Sequence, residues 1–221
     1  MELNTNIDKV RSNISSVIKM KGTEEEKSSI VKKNNSFFQS YDRLKIILNC
    51  YKLIRESTGF VLSNDTHKLM IDTISDAKMI FELENVTRPD AFKKNVDNLE
   101  KKIPDEWKIY ISNQSVQVLD DISILRQVAD NSDQMSLKNS QTSIRKCIDS
   151  WPLSQKIIDD YNVACENLRD YRNRISFDDE VEAFLRKVST KTATLEDLSP
   201  KVMDWIEKEN FKGRIGLVIK A

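Results

Sequence analysis

Residues 153–175 have the sequence LSQKIIDDYNVACENLRDYRNRI, and this stretch decides the fold class. Its apolar residues recur in steps of three and four, the spacing that places side chains on one face of an α-helix. They are Leu153, Ile157, Tyr161, Ala164, Leu168, Tyr171 and Ile175. This spacing approaches the seam of a coiled coil, so the stretch predicts a helix that packs lengthwise against another helix.

Apolar stripes with the same spacing run through most of the chain. They lie at Leu3–Val17, Phe37–Ile54, Phe92–Ile103 and Trp107–Ala129, with a shorter one at Leu137, Ile144 and Ile148. A further stripe consists of Met70, Ile74, Ala77 and Phe81, which we predict to be buried. We therefore predict an all-α fold, a multi-helix bundle of antiparallel helices with a short C-terminal β-strand.

Polar residues and glycines predict the ends of the first helices. Gly22 and the acidic cluster Glu24–Glu26 interrupt the apolar pattern, and Lys32–Ser36 is a weakly helical stretch. Gly59 is placed to end the helix that follows, because glycine adopts the left-handed backbone conformation common after a helix C-terminus. Asn64 or Asp65 can cap the next helix through a side-chain oxygen.

Prolines and a polar stretch predict the middle boundaries. Pro89 is expected to start a helix, since the first turn tolerates a missing N–H group. Pro104 is expected to break or kink the run, because it lacks an N–H and restricts the residue before it. The polar residues 130–134 predict a hinge near 130–135.

The C-terminal region differs from the rest and predicts a second domain, 176–221, after a helical bundle at 1–175. Asp178, Asp179 and Glu180 favour a helix N-terminus, followed by an apolar face at Val181, Phe184, Leu185 and Val188. After a loop at Thr190–Thr194, Ser199 and Pro200 predict a short helix that buries Val202, Trp205 and Ile206.

Arg214–Ile219 is the one stretch that predicts a strand. Its backbone groups need hydrogen-bond partners, because a buried unpaired group costs about 1–3 kcal/mol. Gly59–Leu62 is a short internal candidate for that pairing. The alternative is pairing with another protein or with a second copy of this chain.

The composition excludes several functional classes. The chain has 221 residues, 35 basic and 35 acidic groups, one histidine and four glycines. A single histidine does not supply a multi-histidine metal centre, and so few glycines do not supply phosphate-binding loops. The balanced charge also argues against a nucleic-acid footprint that covers the whole protein. We expect no enzymatic activity and no cofactor.

Three features predict a reduced, cytoplasmic protein without membrane contact. Cys50, Cys147 and Cys165 are widely spaced and lie among apolar residues, so we expect buried free thiols and neither disulfides nor a zinc site. Residues 1–10 lack the apolar core of a signal peptide. No run reaches the roughly 18 apolar residues that a membrane-spanning helix needs.

Few side chains suggest a site. We expect His67 to be solvated or a helix cap, and the pairs Asp120–Asp121 and Asp159–Asp160 to be solvated, because neighbouring residues diverge around a helix. Arg169, Arg172 and Arg174 are the densest arginine group, and guanidinium suits phosphates. The alternative for these arginines is a salt-bridged outer helix face.

The tail resembles known proteins in one respect. Residues 181–185 (VEAFL), 193–206 (ATLEDLSPKVMDWI) and Phe211 resemble the C-termini of small helical proteins encoded beside SMC-like or other ATPases in bacterial defence operons. The resemblance implies an accessory subunit of a multiprotein complex and carries over no functional residue.

Three functional hypotheses follow. The first is a non-catalytic interaction subunit that assembles with a larger partner, an ATPase or a nuclease, through Trp205, Leu217, Val218 and Ile219. The second is a helical protein that contacts nucleic acid through Arg169, Arg172 and Arg174. The third is a homodimeric coiled-coil scaffold joined through residues 153–175.

Overall fold

The structure, a computed structural model, describes residues 24–83, 89–175 and 178–209. Within these ranges the chain forms seven α-helices and one 3-10 helix, Leu195–Asp197. The α-helices are α1 (Glu24–Thr58), α2 (Asn64–Leu83), α3 (Pro89–Val128), α4 (Asn131–Asp149), α5 (Gln155–Arg174), α6 (Asp179–Ser189) and α7 (Pro200–Lys208). The prediction of an all-α fold is confirmed.

The predicted strand pairing finds no support in the described ranges. They contain no β-strand, and Gly59–Leu62 belongs to the connection between α1 and α2. Phe60 and Leu62 bury their side chains there. The predicted strand Arg214–Ile219 and the predicted first stripe, Leu3–Val17, lie outside the described residues.

The chain forms two compact units. The first contains α1, α2, α3 up to Tyr110 and the segment Trp151–Ser154, and the second contains α3 from Ile111 together with α4 to α7. This division differs from the predicted domains 1–175 and 176–221. The physical reason is that α6 and α7 share a core with Ile124 and Val128 of α3, so they do not pack as a separate domain.

Aromatic side chains hold the first unit together. The Phe37 ring of α1 lies 4.9 Å from Phe92 of α3 and 5.6 Å from Phe81 of α2, measured between ring centroids. At the opposite end, Phe60 contacts Tyr51 of α1 and Trp107 of α3, with ring centroids 6.2 and 5.6 Å away. These pairs show that α1 and α2 run antiparallel to each other.

Helix α1 is longer than predicted. Its described part extends from Glu24, so the helix includes the acidic cluster and is not interrupted by it. The weakly helical Lys32–Ser36 stretch also stays helical, and it buries the side chain of Asn34. At the other end Gly59 terminates the helix as predicted, with a positive φ of 73°.

Ser63 caps α2 by accepting from the Thr66 N–H at 3.4 Å, and a carboxylate of another helix holds this cap in place. The predicted caps were Asn64 or Asp65, but the backbone oxygen of Ser63 accepts the first helical hydrogen bond, from the His67 N–H at 2.9 Å. Glu106 of α3 accepts hydrogen bonds from the Ser63 N–H at 2.8 Å, the Ser63 hydroxyl at 2.6 Å and the Thr66 hydroxyl at 2.6 Å. The cap therefore depends on a residue of another helix.

Helix α3 is described from Pro89 onwards and continues through Pro104, so of the two predicted effects of Pro104, a break or a kink, the break is wrong. An internal proline costs about 3 kcal/mol, whereas each large apolar side chain that becomes buried contributes about 1.5–3 kcal/mol. Side chains on both sides of Pro104 are almost fully buried in one stripe: Phe92, Val96, Leu99, Ile103, Trp107 and Ile111. Their combined burial outweighs the proline.

The predicted hinge at 130–134 is a short turn. Only Ala129 and Asp130 separate α3 from α4, and the Asp130 carboxylate caps α4 by accepting from the Asp133 N–H at 2.8 Å. Asp178, predicted to lie at a helix N-terminus, is the N-terminal cap of α6 and accepts from the Val181 N–H. Ser199 caps the N-terminus of α7 as predicted, by accepting from the Val202 N–H.

The different burial of two isoleucines of α3 predicts that their substitution by alanine lowers stability by very different amounts. Ile103 is 0% exposed and Ile109 is 64% exposed. We expect Ile103→Ala to lower the free energy of unfolding by about 2–5 kcal/mol, because the cavity adds to the lost transfer energy. Ile109→Ala, the control, should change it by less than about 0.5 kcal/mol. Urea denaturation measures both, and equal effects would contradict the assigned burial.

The hydrogen bonds of Glu106 predict that the stability difference between the wild-type chain and a Glu106→Gln variant depends on pH. Burial raises the pKa of Glu106, but the hydrogen bonds from Ser63 and Thr66 outweigh burial and hold it below the usual value. The cap therefore stabilises the protein above the unfolded-state pKa and loses this effect as pH falls through the folded-state pKa. We expect Glu106→Gln to cost about 1 kcal/mol near pH 7 and progressively less below about pH 4.

The matched control for this experiment is Asp105→Asn, an exposed carboxylate on the same helix. Thermal unfolding followed by circular dichroism across the pH range gives the comparison. A Glu106→Gln deficit that persists unchanged in acid would contradict the role of the carboxylate in the cap.

Candidate functional site

Arg172 joins two other helices of the second unit. Its guanidinium Nη1 donates to Asp121 of α3 at 2.6 Å, and its Nη2 donates to Glu182 of α6 at 2.8 Å. Arg186 of α6 donates to the same Glu182 carboxylate at 2.7 Å. The alternative of a salt-bridged face thus describes Arg172, although its partners come from other helices and not from α5.

The side chains of Asp120 and Asp121 differ in their exposure. Asp120 is exposed as predicted, but the Asp121 side chain is only 16% exposed because it is ion-paired with Arg172. The expectation that Asp121 is solvated is therefore wrong. The sequence around Asp121, two turns before the end of α3, gave no signal of a partner on α5.

The three arginines do not form one array. Arg174 places its guanidinium carbon 5.1 Å from the centre of the Tyr171 ring, and Arg169 is exposed. Arg172 is ion-paired with two carboxylates, so one of the three arginines predicted to contact phosphate already has partners within the chain. Contact with nucleic acid through this group stays a prediction with less support.

Trp205, a predicted partner contact, lies in the core of the second unit. Its side chain is 7% exposed, and it belongs to a cluster with Val181, Phe184, Leu185 and Val202. In this structure it stabilises α6 and α7 and does not offer a surface. The other predicted contacts, Leu217, Val218 and Ile219, lie outside the described residues.

The near-heptad seam of α5 is also internal. Tyr161, Ala164, Leu168 and Tyr171 are buried, and α5 packs against α4 of the same unit. The antiparallel α4 contributes the buried side chains of Leu137, Ile144 and Cys147. A homodimer formed through this seam would have to open the second unit.

An exposed apolar face on α2 was missed by the sequence analysis. Ile71, Ile74 and Met79 are 51%, 41% and 51% exposed. Ile74 was predicted to be buried, but Thr73 takes that position and is fully buried. The Thr73 hydroxyl donates to the Leu69 backbone oxygen at 2.6 Å, which satisfies it inside the helix and allows its burial.

A polar cleft lies between α4 and α5. Its volume is about 390 Å³. Leu137, Leu168 and Tyr171 form its buried surface, and the polar residues that line it are Asp133, Ser136, Ser140, Asn167, Asp170 and Arg174. No sequence motif marked this cleft, because its residues come from two helices about 35 positions apart.

The cysteines are free thiols in non-reactive surroundings. Cys50 and Cys147 are buried, and Cys165 is half-buried. Burial raises the pKa of Cys147 to about 11, so this thiol stays protonated at neutral pH. The Cys50 sulfur instead accepts a hydrogen bond from the Leu153 N–H at 3.2 Å. His67 is exposed, in agreement with its predicted solvation.

Two kinds of structure are absent from the described residues. None of the described helices is long and apolar enough to cross a membrane. In the same ranges, no three histidine, cysteine or acidic side chains are grouped so that they could hold a metal ion. The chain matches no protein-family model, no curated protein and no solved structure.

The ion pairs around Arg172 predict a salt-dependent contribution to stability. We expect Asp121→Asn to lower the free energy of unfolding by about 1 kcal/mol, since the pair is only partly shielded from water. The adjacent, exposed Asp120→Asn is the matched control and should have little effect. The difference should shrink as salt concentration rises, because ions screen the pair. Chemical denaturation at low and high salt tests this, and equal losses in both variants would contradict it.

Proposed function

We propose that this chain is a non-catalytic helical subunit that assembles with a larger protein. The observation that carries the proposal is on α2, where Ile71 and Ile74 expose neighbouring large apolar side chains and Met79 exposes a third further along the helix. Soluble proteins expose single apolar residues routinely, whereas neighbouring ones on a packed helix form a candidate interaction surface.

The surroundings of these residues suit a protein partner. Residues 71 and 74 are three apart and therefore neighbours on the helix surface. Lys68 and Asp72, both exposed, lie beside them, which gives the apolar face a charged rim. The inner side of α2 is fixed by the buried Met70 and Ala77, so the outward face is presented on a packed helix.

We infer that the partner covers this face with an apolar helix or patch of its own. The resemblance of the tail makes an ATPase or a nuclease of a bacterial defence system the partner class to test first. The predicted strand Arg214–Ile219, including Leu217, Val218 and Ile219, supplies a second expected contact by strand pairing. Trp205 is no longer part of the proposed contact, since it is buried in the second unit.

The α2 face predicts which substitutions abolish assembly. Ile71→Glu combined with Ile74→Glu should prevent recovery of the partner with the tagged full-length chain, because two charges would be desolvated at the contact. Val163→Glu, a substitution of another exposed apolar residue, on α5, is the matched control and should leave recovery unchanged. Quantitative mass spectrometry of the native complex measures recovery, and circular dichroism checks that each variant folds.

Two outcomes would contradict the proposal. One is a folded double variant that retains the partner as well as the wild-type chain does. The other is a wild-type chain that is recovered from its native cells as a monomer, with no stoichiometric partner at any concentration.

A further inference from the structure

The first ten residues of α1 bury none of the side chains that the structure describes there. These are residues 24–33, and each described one is exposed or half-buried. The first ring of α1 that contacts other helices comes later, at Phe37, which packs against Phe81 of α2 and Phe92 of α3. At 1.5 Å per residue, α1 thus has about 15 Å of helix outside the aromatic core of the first unit.

A stripe on α1 runs through this part of the helix and into the core. Its members recur in steps of four and three and therefore lie on one face: Lys27, Val31, Asn34, Phe38 and Tyr41. Val31 is 39% exposed, and Lys27 and Phe38 are half-buried. The described helices therefore leave the first part of this stripe incompletely covered.

A buried amide lies at the centre of the stripe. Asn34 is only 7% exposed, and its side-chain nitrogen Nδ2 has no hydrogen-bond partner in the part of the chain that the structure describes. By contrast, the buried Ser40 of the same helix donates its hydroxyl to the Ser36 backbone oxygen at 2.9 Å. A buried donor without an acceptor is costly, so a segment that brings an acceptor to Asn34 would be stabilised there.

The sequence before α1 contains a stripe of matching spacing. Its members also recur in steps of four and three: Leu3, Ile7, Val10, Ile14 and Val17. An isolated helix of about 15 residues is marginal in water, so a helix over these residues needs a surface that covers its apolar side. Residues 18–23, which include Gly22, separate this stripe from the described start of α1, and this length suits a connection between antiparallel helices.

We propose that residues 3–17 form a helix that packs antiparallel on the first turns of α1. With the connection centred between residues 20 and 21, the two stripes meet in four layers: Leu3 with Phe38, Ile7 with Asn34, Val10 with Val31 and Ile14 with Lys27. In a heptad, every one of these layers joins an a position of one stripe to a d position of the other. The spacing of both stripes therefore fits one hairpin without a gap.

Asn34 gives this hairpin its polar contact. A single asparagine in an apolar heptad seam favours the alignment that satisfies its hydrogen bonds. Asn4 and Asn6 lie close to Ile7 in sequence, and each carries an amide oxygen that can accept from Asn34 Nδ2 in this layer. The proposed helix thus supplies apolar cover for Val31 and an acceptor for Asn34.

The short connection favours this segment over any separate chain. A segment tethered by a few residues has an effective concentration in the millimolar range at the surface it can reach. A second copy of the chain or another protein would have to displace it from the α1 stripe. The α2 face, on which the proposed function depends, is not involved.

Disulfide bridging in the full-length chain tests the layers. Val10→Cys combined with Val31→Cys should form a bridge within one chain when oxidised glutathione is added, because this layer places the two side chains face to face. Val10→Cys combined with Lys33→Cys is the matched control, since residue 33 is exposed on another side of α1, and it should stay reduced. Both variants keep the native cysteines, and mass spectrometry measures the bridge.

Hydrogen exchange followed by nuclear magnetic resonance tests the cover and the acceptor. In the wild-type chain we expect slow exchange of the backbone amides of residues 3–17 and of the Asn34 side-chain amide. Val10→Asp should accelerate both about tenfold or more, because it places a charge in the apolar seam. Ser12→Asp, the control, places the same charge on the opposite side of the predicted helix and should leave both unchanged.

Four results would overturn the proposal. Equal bridging of the two cysteine pairs would contradict the layers, and equal exchange in Val10→Asp and Ser12→Asp would contradict the seam. A bridge between two chains, or protection that rises with protein concentration, would make a second copy the occupant. Residues 3–17 that exchange as fast as an unfolded chain, or are protected only once a partner is bound, would also overturn it. None of these results concerns partner recovery through Ile71 and Ile74, so the two proposals fail separately.

Discussion

The structure depends on one continuous apolar stripe along α3. This 40-residue helix contributes buried side chains to both compact units, with Phe92 and Trp107 in the first and Ile122 and Leu125 in the second. A helix with a stripe of this length must be covered along most of it, because each exposed large apolar side chain would forfeit about 1.5–3 kcal/mol. The other helices are arranged by that requirement, and Pro104 is tolerated because of it.

Polar contacts then select one arrangement among those that would cover the stripe. Glu106 of α3 holds the Ser63 cap of α2 in place, and Asp121 of α3 binds Arg172 of α5. In each case the carboxylate stands on α3, and its partner lies 40 or more positions away in sequence. Because such bonds are lost when a helix shifts by one turn, they add positional specificity to the non-directional apolar contacts.

The sequence predictions were correct where the interaction joins residues close in sequence and were wrong where it joins distant ones. Gly59 and Ser199 were placed correctly, because starts and ends of helices are governed by neighbouring residues. The cap at Ser63 was missed, because Ser63, Asn64 and Asp65 are all residue types that cap helices and the sequence does not show that Glu106 binds Ser63. The burial of Thr73 in place of Ile74 was missed too, since three-and-four spacing defines a stripe but not its exact centre.

The candidate sites were harder to predict than the helices for the same reason. A site consists of side chains from several helices, whereas a sequence pattern shows only which residues lie together on the same helix. The arginine group of α5 looked like a site because its members are adjacent in sequence, yet the structure commits Arg172 to Asp121 and Glu182. Conversely, Ser140 and Asp170 share a cleft although 30 positions separate them.

The two surfaces left by this fold differ in their physical chemistry. The α2 face is apolar, so binding there, as proposed, would gain free energy from removing Ile71 and Ile74 from water and would vary little with salt. The α4–α5 cleft is small and polar, and two carboxylates, Asp133 and Asp170, line it, so any contact there would depend on charge and weaken as ions screen them. Salt dependence therefore distinguishes which surface any bound molecule uses.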